Sequence, residues 1–194
     1  MSEVLVLVDH VDGAVRKPTY ELLAIAKRLG SPAAVVIGAA DAADAVVEAV
    51  KGYGAEKVYV VDDTEIKGYL VAPKAEVLQQ LATQANPDAI LITSSAEGKE
   101  IAARLAIKLE SGLITDAVDV QAGPVTTQSV FAGNYTVQAK VPKGTPIITV
   151  KPNAAAPEEG AGAGVKEAFA ASISESAKKA KIFASQPRAA SRRP

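Results

Sequence analysis

Three short, mostly apolar runs in this sequence end in residues that could do chemistry. Val4–Val8 stops at Asp9, Lys57–Val61 stops at Asp62-Asp63, and Ala89–Ile92 stops at Thr93-Ser94-Ser95. Unbroken aliphatic runs read as strands buried on both faces of a parallel sheet. Open α/β sheets bind ligands just outside the carboxyl ends of such strands, where strand order reverses. A carboxylate there, Asp9, Asp62 or Asp63, could accept hydrogen bonds from a ribose. Ser94, Ser95 and Gly98, ahead of a helix containing Lys99, could cradle a phosphate on the helix N-terminus. The plainer reading is preferred: Ser94 or Ser95 caps that helix, and Glu97 supplies an acidic first turn that the helix dipole favours.

Other candidates are weaker still. Asp62-Asp63 could hold a metal through oxygen, but adjacent acids after a strand usually form a solvated turn. His10, flanked by Asp9 and Asp12, could act as a general base. No nucleophile partners it in the sequence, so a surface or partner-contact role is preferred. Asp12-Gly13 reads as turn chemistry. Lys99, Arg104 and Lys108 could present a basic stripe to an acidic partner; a solvated face balanced by Glu97 and Glu100 is the ordinary alternative. Arg188, Arg192 and Arg193 have no interleaved aromatics for base stacking and read as a solubilising tail. Neither GxGxxG nor GxxxxGK[ST] occurs. No catalytic, cofactor-binding or metal-ligating residue is therefore assigned.

The elements that must position these residues alternate. After Val4–Val8, Pro18 can open a helix carrying Leu22, Ile25, Ala26 and Leu29, with Gly30 expected as a left-handed cap. Ala33–Ile37 is a strand, and Asp41 is expected to cap a helix through Val50. Lys57–Val61 precedes a helix within Tyr69–Ala85 whose start Pro73 is expected to delay. Ala89–Ile92 precedes a helix over Glu97–Glu110. Strand–helix alternation predicts βαβ units and a three-layer, Rossmann-like α/β fold around a parallel sheet. After Gly112, Val118–Gln121, Thr127–Phe131, Tyr135–Val141 and Ile147–Val150 are separated by Gly/Pro turns, and are expected to extend the sheet with antiparallel strands at one edge. The expected organisation is an α/β domain over 1–152, its antiparallel extension beginning near 113, then a connector and tail over 153–194. Within that tail, Asn153–Gly164 should be exposed, Ser172–Ala184 could form a short strand or helix, and 185–194 should be mobile.

Composition narrows the function. The chain has no Cys and one His, which excludes disulfides, Fe–S ligation and multi-histidine metal centres. A net charge of −1 gives no reason to expect nucleic acid or an anionic membrane as partner. The start, MSEVLVLVDH, lacks the basic region of a signal peptide, and a soluble cytoplasmic protein is expected.

Residues 94–152 add a resemblance. Gly98–Leu109 (GKEIAARLAIKL), Thr115-Asp116, Phe131-Ala132-Gly133-Asn134 and Val141–Lys151 (VPKGTPIITVK) follow one another as in the first domain of the electron transfer flavoprotein α subunit. Lys151-Pro152-Asn153-Ala154-Ala155 departs from that family by lacking its aromatic residue. The resemblance implies an adenine-nucleotide-hydrolase-like or universal-stress-like fold. It also implies a heterodimer with the electron transfer flavoprotein β subunit, and an FAD held mainly in a second α domain whose Gly-rich loop is absent here. The intact heterodimer would carry electrons from acyl-CoA or other dehydrogenases to the respiratory chain. This chain would be a non-enzymatic scaffold, able to self-associate when alone and carrying no FAD of its own. The competing reading is a free-standing universal-stress-type module binding ATP or AMP in the Asp9/Ser94 crevice. An ATP-pyrophosphatase-type adenylating enzyme lacks its Ser-Gly-Gly loop here, where Asp9-His10-Val11-Asp12 stands.

Overall fold

Strict alternation along each inner strand decides the architecture. In β1 (Glu3–Leu7), Val4 and Val6 enter one core while Leu5 and Leu7 enter a second. The same split recurs in β4 (Ser31–Ile37), β5 (Lys57–Val61) and β6 (Ala89–Thr93). A strand apolar on both faces needs a layer on each side. Helices α1 (Lys17–Leu29) and α2 (Ala43–Lys51) cover one face, and α3 (Ala72–Ala85) and α4 (Ala96–Lys108) the other. The computed structural model describes residues 2–63 and 66–184, so the residue run 185–194 lies outside what is described.

The remaining strands are β2 (His10–Val11), β3 (Ala14–Val15), β7 (Leu113–Gln121), β8 (Val125–Val130), β9 (Tyr135–Ala139), β10 (Ile147–Val150) and β11 (Val165–Ala168). The nine-stranded sheet runs β11-β5-β4-β1-β6-β10-β7-β8-β9, with every pair parallel from β11 to β7 and antiparallel from β7 to β9. The chain therefore has the expected three-layer α/β fold around a mostly parallel sheet. Strand order reverses at β1, which pairs with β4 on one side and β6 on the other.

Three local expectations need correction. Ile147–Val150 is not an edge strand: β10 inserts parallel between β6 and β7, and all four of its residues are buried, as an interior strand requires. Only β8 and β9 form the antiparallel extension. Gly30 is extended (φ 175°) instead of left-handed. Its role is close approach, because a Cβ would stand 2.6 Å from the Ser2 carbonyl oxygen. Asp41 does not cap α2, which begins after a 3-10 turn at Ala40–Ala42 without a side-chain cap. Pro73 sits in the first turn of α3, which starts at Ala72 as its missing N–H allows.

The sequence also hid β11. Its VKEA alternates weakly, yet it pairs parallel to β5 from Val165↔Lys57 to Ala168↔Val60. The exposed run before it is tethered: Gly160 N–H donates to the Gly52 carbonyl and Gly162 N–H to the Lys51 carbonyl, both at 2.9 Å. Upstream, Asn153 N–H donates at 2.7 Å to Glu21, a carboxylate only 2% exposed that also pairs with Lys17 at 3.2 Å. Among the described residues, no helix is long and apolar enough to cross a membrane.

Candidate functional site

The carboxyl ends of β1, β4 and β6 open onto a crevice of about 620 Å³. Asp9, His10 and Asp12 line it from the first loop, Gly38 from the end of β4, and Thr93, Ser95, Glu97 and Gly98 from the β6–α4 junction. Sequence reasoning thus finds the place from the strand ends, as the rule for open sheets predicts.

The candidates at the β6–α4 junction part company. Ser95 is the N-cap of α4, and its hydroxyl accepts from Gly98 N–H at 2.9 Å. Gly98 is required because a Cβ would come within 2.0 Å of the Thr93 carbonyl oxygen, so helix and strand end approach backbone to backbone. Ser94 does not line the crevice. Its hydroxyl donates to Asp116 at 2.5 Å and accepts from the Thr149 hydroxyl at 3.0 Å. Asp116, at φ 58° beside a register shift in β7, also lies 3.5 Å from Lys99 Nζ. The Ser94 hydroxyl, with Lys99 and Lys151 nearby, holds the Asp116 carboxyl below its ordinary value against the opposing effect of partial burial. The Asp9/Ser94 pairing is accordingly replaced by Asp9 with Thr93 and Ser95 on the crevice side, and Ser94 with Asp116 on the other.

His10 sits on the β2–β3 hairpin, whose Asp12-Gly13 turn has φ 48° and 83°. Its Nδ1 accepts from Gly13 N–H at 3.4 Å, which leaves Nε2–H to donate to the Ile37 carbonyl at 2.9 Å. Both ring nitrogens are occupied by backbone, so His10 holds the loop and has no free nitrogen for base catalysis. Asp62 and Asp63 do not line the crevice. Among the described residues, no group of three or more His, Cys, Asp or Glu could hold a metal ion. The basic stripe on α4 is absorbed in ion pairs: Lys99 with Asp116, Arg104 with Glu100 at 2.9 Å, and Lys108 with Glu76 at 3.2 Å. Arg188, Arg192 and Arg193 lie outside the described residues.

Two features escaped the residue-by-residue reading. Glu76, 8% exposed on α3, accepts from the Ser174 N–H at 2.8 Å and the Ser174 hydroxyl at 2.7 Å. Burial works to raise its pKa, but the Ser174 bonds and Lys108 outweigh it and hold the carboxyl below its ordinary value. This latch guides the C-terminal segment past the crevice. Leu70 N–H donates to the Ala180 carbonyl at 3.0 Å, Ile182 N–H donates to the Gly68 carbonyl at 2.8 Å, and Ile182 joins the crevice lining. The only sequence signal was an acid between the apolar Ala75 and Val77.

The second feature is the tip of the expected β8–β9 hairpin, where β8 ends at Val130 and Phe131 falls in the turn and not in the strand. Its turn holds Phe131 (φ 51°) and Ala132 (φ 56°) in the left-handed region, where a side chain costs about 1–2 kcal/mol per residue. Asn and Gly are the residues suited to such a conformation. Phe131 is 77% exposed and Tyr135 64% exposed, and their rings meet edge to face with centroids 5.7 Å apart. Val137, on the same edge strand, is also exposed.

The family model described as "Electron transfer flavoprotein domain" matches residues 4–180. The chain is 46% identical over 164 residues to the electron transfer flavoprotein subunit alpha of Mycobacterium tuberculosis H37Rv, covering 84% of this chain and 52% of that protein. It is 35% identical over 190 residues to the subunit of the same name from Syntrophomonas wolfei, covering 94% and 59%. It is also 29% identical over 143 residues to the LctC subunit of a lactate dehydrogenase (NAD(+),ferredoxin) from Acetobacterium woodii, covering 70% and 34%. The chain thus spans about half the length of these α-subunit relatives.

Proposed function

We propose, from the premise that this chain belongs to the electron transfer flavoprotein family, that it serves as the N-terminal scaffold and partner-binding domain of an α subunit. Residues 1–152 would form that domain together with β11 and the latched segment through Ile182, which join its sheet and its crevice, and the flavin would be held in another domain of the α subunit. The intact heterodimer would hold FAD outside this chain and pass electrons from dehydrogenases to the respiratory chain. A rigid base under a moving flavin domain is a sensible division of labour, because electron transfer needs the flavin presented in turn to donor and acceptor. Soluble, cytoplasmic residence suits that role.

The observation that carries the reading is the hairpin. Phe131 and Ala132 occupy a strained turn without gaining burial, and Phe131, Tyr135 and Val137 form an apolar patch on an edge strand. Strain and exposure without a stability return point to function, and an aromatic patch on an open edge is the kind of surface a protein partner covers. The β subunit is the partner proposed for it. Phe131→Ser with Tyr135→Ser should abolish co-purification with a co-expressed β subunit while leaving the fold intact. Undiminished co-purification would refute this assignment of the surface.

A further inference from the structure

The sequence treats the two ends of the nine-stranded sheet differently. An edge strand presents unpaired N–H and C=O groups, and proteins ordinarily blunt it with charge, proline or shortness. At one end β11 is four residues long, and its Lys166 and Glu167 are held in ion pairs with Asp44 at 2.6 Å and Lys57 at 3.5 Å. At the other end β9 carries neither charge nor proline. Residues 125–139, the whole hairpin from β8 to β9, contain no charged residue and no proline, in a chain that is 22% charged. Tyr135, Thr136, Val137 and Gln138 are all exposed.

The register identifies the groups that face outwards. β9 pairs with β8 from Val130↔Tyr135 to Thr126↔Ala139. In an antiparallel ladder, successive residues turn their N–H and C=O alternately towards and away from the neighbouring strand. The Ala139 carbonyl faces β8, because it accepts from the Thr126 hydroxyl at 2.9 Å. Tyr135 and Val137 share its phase, so Thr136 and Gln138 turn their backbone groups to the open edge. Side chains alternate as well: Tyr135 and Val137 stand on one face of the hairpin, Thr136 and Gln138 on the other. Resting on the reading of this hairpin as the β-subunit surface, we infer that the contact is strand addition: an edge strand of the β subunit pairs with β9 and extends the sheet by one strand. Pairing of this kind draws affinity from main-chain bonds and specificity from alternate side chains. The incoming strand is uncharged and free of proline. It places aromatic or β-branched residues opposite Tyr135 and Val137, and hydroxyl or amide residues opposite Thr136 and Gln138. A partner resting on the aromatic rings alone would leave the β9 edge in water, whereas strand addition uses both the rings and the backbone.

Amide hydrogen exchange of residues 1–194, alone and in complex with a co-expressed β subunit, tests the pairing. The Thr136 and Gln138 amides should exchange at unprotected rates in the chain alone, and at least about a hundredfold more slowly in the complex. Thr136→Pro removes one outward N–H at a position where an edge strand tolerates proline. It should lower the yield of complex by about tenfold or more, whereas Thr136→Val, which keeps the N–H, should not. A complex in which both amides exchange as in the lone chain, or a Thr136→Pro chain that co-purifies like wild type, would overturn strand addition and leave the partner assignment standing. Protection of both amides in the chain alone would assign the edge to a second copy and overturn the proposal. Failure of any complex to form would overturn both readings.

Discussion

Glu76→Gln is the substitution whose consequences can be worked out furthest. The wild-type carboxylate is 8% exposed and receives the Ser174 N–H at 2.8 Å, the Ser174 hydroxyl at 2.7 Å and Lys108 at 3.2 Å. Hydrogen bonds to a charged group contribute about 1.5–3 kcal/mol each, and stranding a buried donor costs about 1–3 kcal/mol. Glutamine retains one acceptor oxygen and turns an NH₂ towards the remaining donors. The loss should therefore be about 2–4 kcal/mol at neutral pH. The sign of the pH dependence follows from the lowered pKa. A carboxyl with a folded-state pKa below its unfolded value stabilises fully above the unfolded value, about 4.3, and loses that contribution as pH falls through the folded one. The gap between wild type and variant in urea unfolding should hold from pH 7 to about pH 5 and close at lower pH. Hydrogen exchange should show the Ser174, Leu70 and Ile182 amides losing protection, because the latch holds the segment that carries their bonds. A variant within about 0.5 kcal/mol of wild type at pH 7, or a gap unchanged in acid, would refute the reasoning.

Further outcomes can be checked directly. Gly98→Ala should destabilise by at least about 2 kcal/mol in chemical denaturation, because the new Cβ meets the Thr93 carbonyl, a backbone atom that cannot swing aside. Ser94→Ala should raise the Asp116 carboxyl pKa towards its ordinary value in an NMR titration, since the Ser94 hydroxyl is the largest cause of its depression. Phe131→Ser with Tyr135→Ser should change the stability of the isolated chain by less than about 0.5 kcal/mol per site, as the exposed pair contributes little to the core.

Much of the fold was legible because the inner strands obey one simple rule. Lys57–Val61 appears with the expected limits, and β1, β4 and β6 fall within two residues of theirs. The rule fails where tertiary pairing decides. The Ile147–Val150 run reads as one more strand after a turn, and nothing local says that it slots between β6 and β7. Strand β11 is four residues, largely exposed, and exists through its ladder to β5. The candidate site shows the same division. Asp9 and Ser95 were placed by strand ends and capping logic, whereas Ser94 turned away to Asp116, a residue 22 positions later in sequence. The family resemblance drew attention to Thr115-Asp116, and the Gly133-Asn134 pair signals the hairpin turn, but neither shows that Phe131 and Ala132 are held at positive φ. Exposure of the aromatic pair is a property of the surface, which periodicity does not encode.

The central claim is that this domain binds a partner and leaves the flavin to another part of the assembly. The most direct measurement is co-expression of residues 1–194 with a cognate β subunit, followed by native mass and a visible absorption spectrum of the purified product. A one-to-one complex without flavin absorbance is the predicted result. A chain that stays alone, or one that carries flavin by itself, would contradict the account.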